Sequence, residues 1–272
     1  RKQRGQIRKE SGMDDELTPT RKSSRMFEES EDILGRLVLA CNDGSCRYFE
    51  MAQNGLLHLK FTTQGKADPA TACCFVKHSP ELRFAFCSGY QSGDIRVFDF
   101  KTKQQVTLIV GDKSKDQKST VWSIQTVSPH FVVSGNSQGM VKFHEMKYGT
   151  LVKEFREHAG DILAMTVSAD GSKVFVSGVD STIAIFGKHT SEIEGMEMHE
   201  FKLNSKDRGQ SHDIYALVEL HADLLLSAGH STDMCLYKLE PEGFPDRRLG
   251  KGKVKLRSEE HTSELQSLRH IS

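Results

Sequence analysis

Short apolar runs separated by turn residues recur along the chain. The recurring unit is an apolar strand, a tight turn, and a second apolar strand ending in an aromatic residue. Residues 37–41 lead through Asn42, Asp43, Gly44 and Ser45 to 46–49, which end on Phe49. The same pattern links 84–87 to 95–98, 131–135 to 140–143, 174–178 to 183–186 and 224–229 to 234–237, ending on Phe98, Phe143, Phe186 and Tyr237. Copies at a spacing of about 43 to 51 residues are the mark of a repeat architecture.

Each copy brings two further strand-like runs, such as 121–125 before one hairpin and 151–155 after it, so the unit is four short strands. Alternation places Val141, Phe143 and Glu145 on one side of a strand and Lys142 and His144 on the other. Asn, Asp, Ser and Gly fill the connections, as hairpins require, and no stretch within the repeats carries the 3.6-residue period of a long amphipathic helix. Four strands every forty or so residues predict an all-β fold, a partial β-propeller of about five four-stranded blades belonging to a larger propeller. The blades are expected over 36–244. Residues 1–35 read as a charged flexible loop or insertion and 245–256 as a basic linker. The stretch RSEEHTSELQS resembles the in-frame translation of a sequencing-library adapter, so 257–272 are expected to add nothing to the fold.

The 37 basic and 37 acidic side chains cancel, so no global charge draws the chain to nucleic acid or a membrane surface. No apolar run approaches the roughly 20 residues that span a bilayer. Cys73, Cys74, Cys87 and Cys235 fall inside apolar runs and no C-x-x-C pair occurs, which favours reduced, buried thiols in a cytosolic or nuclear protein over a zinc or redox centre. No metal and no cofactor are expected. Trp122, the single tryptophan, starts a strand and reads as a packed aromatic.

His158, Ser177 and Asp180 invite a hydrolase reading. His212 and Ser227 recur one unit later, however, and a catalytic site is not duplicated repeat by repeat, so no enzymatic activity is expected. With these residues the sequence resembles the WD-repeat family. The resemblance implies a structural hydrogen-bond network in which His158 donates to Asp180 and Ser177, with His212 and Ser227 serving the next blade. Only Phe98-Asp99 resembles the W-D pair of that family; the corresponding aromatics elsewhere are Phe143, Phe186 and Tyr237. Lys113, Lys115 and Lys118, and Arg247, Arg248, Lys251, Lys253 and Lys255, form two basic clusters outside the expected strands, candidates for RNA or partner contact.

Three consecutive stretches, VWSIQTVSPHFVVSGNSQGMVKF, EHAGDILAMTVSADGSKVFVSGVDSTIAIF and SHDIYALVELHADLLLSAG, resemble the first propeller of the cirhin family of WD-repeat proteins. That resemblance implies a non-catalytic nucleolar scaffold of the small-subunit processome, acting in small-subunit rRNA maturation and linked to rRNA transcription. Its implied partners are other WD-repeat and helical subunits, with pre-ribosomal RNA as a further candidate, and neither a membrane nor a small-molecule substrate. The competing expectation is a WD-repeat adaptor of another complex, such as a ubiquitin-ligase substrate receptor.

Overall fold

The computed structural model describes residues 33–252, apart from 66, 77–85, 100, 113–118, 194–195, 223, 231–233 and 240–244. The described residues form five antiparallel sheets, each running outward in chain order. The first holds β1 (Ile33–Ala40), β2 (Cys46–Ala52) and β3 (Leu57–Thr62), and the second β4 (Ala70–Phe75), β5 (Phe86–Tyr90), β6 (Ile95–Asp99) and β7 (Gln104–Ile109). The third is β8 (Val121–Thr126), β9 (Phe131–Asn136), β10 (Met140–Glu145) and β11 (Leu151–Arg156). The fourth is β12 (Ile162–Val167), β13 (Lys173–Gly178), β14 (Thr182–Ile193) and β15 (Met196–Arg208), and the fifth β16 (Ile214–His221), β17 (Leu224–Gly229), β18 (Met234–Leu239) and β19 (Pro245–Gly252).

Five sheets match the repeat count, and the strand phase explains why the first differs. The inner strands β4, β8, β12 and β16 pack successively on one another, and the second strand of each sheet also touches the inner strand of the next. β1 meets β4 as β5 meets β8, and the Cys73 thiol donates to the Val38 carbonyl across that contact. β1 is therefore a second strand, and the described residues supply no inner strand to the first sheet.

The turns between second and third strands follow one backbone rule. Gly44, Gly93 and Gly139 adopt positive φ there, and Ser181 does so at 61° in the fourth sheet. A serine in that region is strained; the Asp180 carboxylate, accepting from the Thr182 amide at 3.2 Å, holds the turn around it. Two glycines serve close packing instead. A side chain on Gly89 would collide with Val121, and one on Gly135 with Ile162, so these positions admit the first residue of the next inner strand.

The core is a series of apolar layers between successive sheets. Phe143, Val133, Ile162, Val176 and Phe186 fill the layer between the third and fourth sheets; Phe175, Ile214, Leu225 and Tyr237 fill the next. Because each blade is covered on both sides, alternation does not become a buried and an exposed face: Val141 and Phe143 are buried on one side of β10 and His144 on the other. Phe201 enters the Phe143 layer from β15, the returning strand of a hairpin whose strands run 12 and 13 residues where most run five to eight.

Two local expectations are revised. Residues 245–252, read as part of a linker, form the outer strand β19 in register with β18; an edge strand needs only one partner's backbone and no apolar alternation, so its sequence is a weak signal. Trp122 is 39% exposed rather than packed, because the register shifts between Val121 and Ser123 and leaves it as the unpaired residue of a β-bulge. The same bulge recurs at Thr71, Leu163 and Tyr215.

Candidate functional site

The segment entering each inner strand must be tied down, since it crosses from one sheet to the next with its backbone groups leaving water. In the fourth sheet the tie is His158, four residues before Ile162. Its Nδ1 lies 2.9 and 3.1 Å from the two Asp180 carboxylate oxygens and 3.3 Å from the Thr182 hydroxyl. Thr182 donates its hydroxyl to Asp180 at 2.9 Å, and the Ala159 amide donates to the same carboxylate at 3.2 Å. An ionised carboxylate only accepts, so His158 Nδ1 carries the proton. The His158 side chain is fully buried, and its Nε2 has no partner among the described residues. Burial is the largest single influence on Asp180 and acts to raise its pKa; the hydrogen bond and charge of His158 and the Thr182 donors together outweigh it and hold the carboxyl well below the usual carboxylate range.

Ser177 stands on β13 just before the turn, and its hydroxyl donates to the Thr182 carbonyl at 2.6 Å rather than meeting His158. In the fifth sheet the residue four before Ile214 is Gln210. Its Nε2 donates to the Ser227 hydroxyl at 2.7 Å and the Ser227 carbonyl at 3.1 Å. Tyr237 completes this network by donating to the Gly209 carbonyl at 2.7 Å. His212, two residues closer to the strand, packs instead against the His230 ring, centroids 6.0 Å apart. Counting back from the first strand residue would have found Gln210; matching histidine to histidine points to the wrong neighbour.

The second sheet makes the tie with different chemistry. Asp68 accepts from the Ser92 amide at 3.0 Å, the Ser92 hydroxyl at 2.8 Å and the Arg96 guanidinium at 3.4 Å, while Arg96 lies 3.9 Å over the Tyr90 ring. Sequence reading did not single out these residues, because no histidine flags them. Each arrangement joins a connecting segment to its own blade through buried or half-buried hydrogen bonds.

Between the second and third sheets lies a cleft of about 150 Å³ lined by Gly93, Ser119, Ser134, Asn136, Lys142 and His144. Lys142 pairs with Asp112 and, at 3.7 Å, with Glu154. Burial, reinforced by the Lys142 charge, pushes His144 down to about 4, so its ring is neutral at physiological pH. Of the basic clusters, Arg247, Arg248 and Lys251 lie along β19; Lys113, Lys115, Lys118, Lys253 and Lys255 lie outside the described residues, as do 1–32 and 257–272. Among the described residues no group of three or more His, Cys, Asp and Glu side chains gathers as metal ligands, and no helix is long and apolar enough to cross a membrane.

Antiparallel four-stranded sheets that pack inner strand on inner strand define a partial β-propeller. Residues 149–186 match the family model described as WD domain, G-beta repeat. Over 200 residues the chain is 26% identical to U3 small nucleolar RNA-associated protein 4 of Schizosaccharomyces pombe, covering 71% of this chain and 27% of that protein. It is 32% identical over 123 residues to the protein of the same name from Saccharomyces cerevisiae, covering 43% of this chain and 16% of that one. The chain thus matches about a quarter or less of the length of these curated relatives. Among solved structures it resembles a chain of Chaetomium thermophilum Polycomb Repressive Complex 2 bound to GSK126, with a TM-score of 0.62 and 16% identity over 79% of this chain and 50% of that one. A chain of an active polycomb repressive complex 2 in the basal state gives the same TM-score at 15% identity, covering 79% and 47%. At that identity the structural likeness speaks for the fold alone.

Proposed function

We propose that the protein is a non-catalytic scaffold of the nucleolar small-subunit processome, acting in small-subunit rRNA maturation. The observation that carries this reading is the similarity to two fungal proteins, each named as associated with the U3 small nucleolar RNA. The anchors support it: the His/Ser/Asp constellation is spent on fixing loops, leaving the rigid blades and their surfaces as the working parts. Its partners are other WD-repeat and helical subunits, with pre-ribosomal RNA a lesser contact because the chain is neutral overall.

Depleting the full-length protein is expected to lower small-subunit but not large-subunit rRNA, and the protein to sediment with pre-ribosomal particles in nucleolar extracts. A diffuse cytoplasmic distribution with intact rRNA processing would reject the reading and favour an adaptor of another complex. Neutralising Arg247, Arg248, Lys251, Lys253 and Lys255 is expected to weaken RNA crosslinking while leaving particle association in place. The log–log salt dependence should flatten by roughly 0.7 to 0.9 for each phosphate that the protein no longer neutralises. An unchanged salt slope would remove this cluster from RNA binding.

A further inference from the structure

Among the described residues no further strand pairs with the outer strand of any sheet, and such edges are ordinarily blunted by charge. β3 carries His58 and Lys60, β11 carries Lys153, Glu154 and Arg156, β15 includes Glu200 and Lys202, and β19 has Arg247, Arg248 and Lys251. β7, with the sequence QQVTLI, carries no charge and no proline. It ends its sheet, with no further strand beside it among the described residues.

Its two faces differ. Ile109 is 4% exposed, and the Thr107 hydroxyl donates to the Lys147 carbonyl at 3.5 Å, so one face is covered by the β10–β11 turn. On the other, Val106, Leu108 and Val110 are 44%, 45% and 52% exposed, an apolar row that starts at the bulge residue Val106 and runs one residue past the strand. Lys101 and Lys103 precede the strand and are exposed; Asp112, at its far end, is already paired with Lys142. The edge is therefore uncharged along its length, with one apolar row, and its start carries two lysines against the single carboxylate of Asp99.

We propose that β7 is a strand-addition site for an extended segment of a partner protein. The segment has alternating apolar residues, an uncharged centre, and an acidic residue at the end lying beside Lys101 and Lys103. Main-chain hydrogen bonds supply affinity, and side chains over Val106, Leu108 and Val110 supply selectivity. A second copy fits less well, because antiparallel self-pairing sets each Lys101–Lys103 pair beside an aspartate that Lys142 has neutralised.

The probe is a short peptide alternating valine and threonine with a glutamate at one end, titrated into the purified chain by fluorescence anisotropy. Binding is expected to slow hydrogen exchange at 104–110, and Leu108→Lys to weaken it by about tenfold or more, the equivalent of about 1.4 kcal/mol. Leu108→Val should bind as the parent does. A peptide with the same side chains but N-methylated along one edge should fail to bind. Protection mapping to another strand, equal binding by the methylated peptide, or no binding at all would overturn the proposal. So would a concentration-dependent dimer abolished by Leu108→Lys, since the occupant would then be a second copy.

Discussion

Replacing Phe143 by alanine is expected to lower the unfolding free energy by about 3–5 kcal/mol, the range for deleting a fully buried aromatic ring. Phe143 is 0% exposed and stacks on Phe201 with centroids 4.1 Å apart, while Phe186 and Phe155 meet it edge-on at 5.9 and 6.1 Å. The ring, carried by β10, thus joins β11, β14 and the returning strand β15, and its loss opens a cavity none of them can close alone. Urea unfolding followed through Trp122 checks this, since that single tryptophan is the second residue of β8, in the same sheet as Phe143, and is partly exposed. Phe143→Leu should cost distinctly less, because it keeps much of the volume. Equal costs for both variants would mean that ring stacking rather than volume sustains the layer.

His158→Ala is expected to destabilise the fold by about 1–3 kcal/mol, the cost of orphaning buried polar partners. The Asp180 carboxylate would lose its main donor and remain largely enclosed, with 12% side-chain exposure. The pH dependence gives a second readout. Asp180 is held below its ordinary value, so the folded state releases this proton more readily than the unfolded chain. Its contribution is therefore fully present above the unfolded carboxylate value of about 3.9 and is lost as the pH falls further, through the depressed folded value. Thermal melting between neutral pH and about pH 3 should show the parent losing more stability than Asp180→Asn, whose amide does not titrate. A His158→Ala midpoint equal to the parent's would remove the anchor from the account of stability.

The repeat, the strands and the class of fold are legible in the sequence because their causes are local. A second strand, a turn with one residue at positive φ and a third strand occupy some fifteen residues, and Gly44, Gly93 and Gly139 mark that turn plainly. The chemistry of the anchors is less legible, because its geometry depends on loop length. The fourth sheet spans Ser177 to Ile183 across its turn, whereas the fifth spans Ser227 to Cys235. With the longer turn, glutamine reaches the serine directly where histidine reached an aspartate.

By itself the sequence determined that the chain is a set of β-blades, since period-two apolar runs and turn residues specify backbone conformation whatever lies nearby. It also put His158 before one strand and Asp180 in the turn after the next, while their pairing came only as what the family resemblance implies. Only the tertiary structure decided that β1 is a second strand, that Phe201 closes the layer around Phe143, and that the uncharged strand β7 ends its sheet among the described residues. Those features depend on which sheet packs against which, and a residue buried between two blades looks the same in sequence as one buried within a single sheet. Burial on both faces of a blade erases the contrast between inside and outside on which sequence patterns rely, so layer membership and edge exposure emerge only when the sheets are assembled.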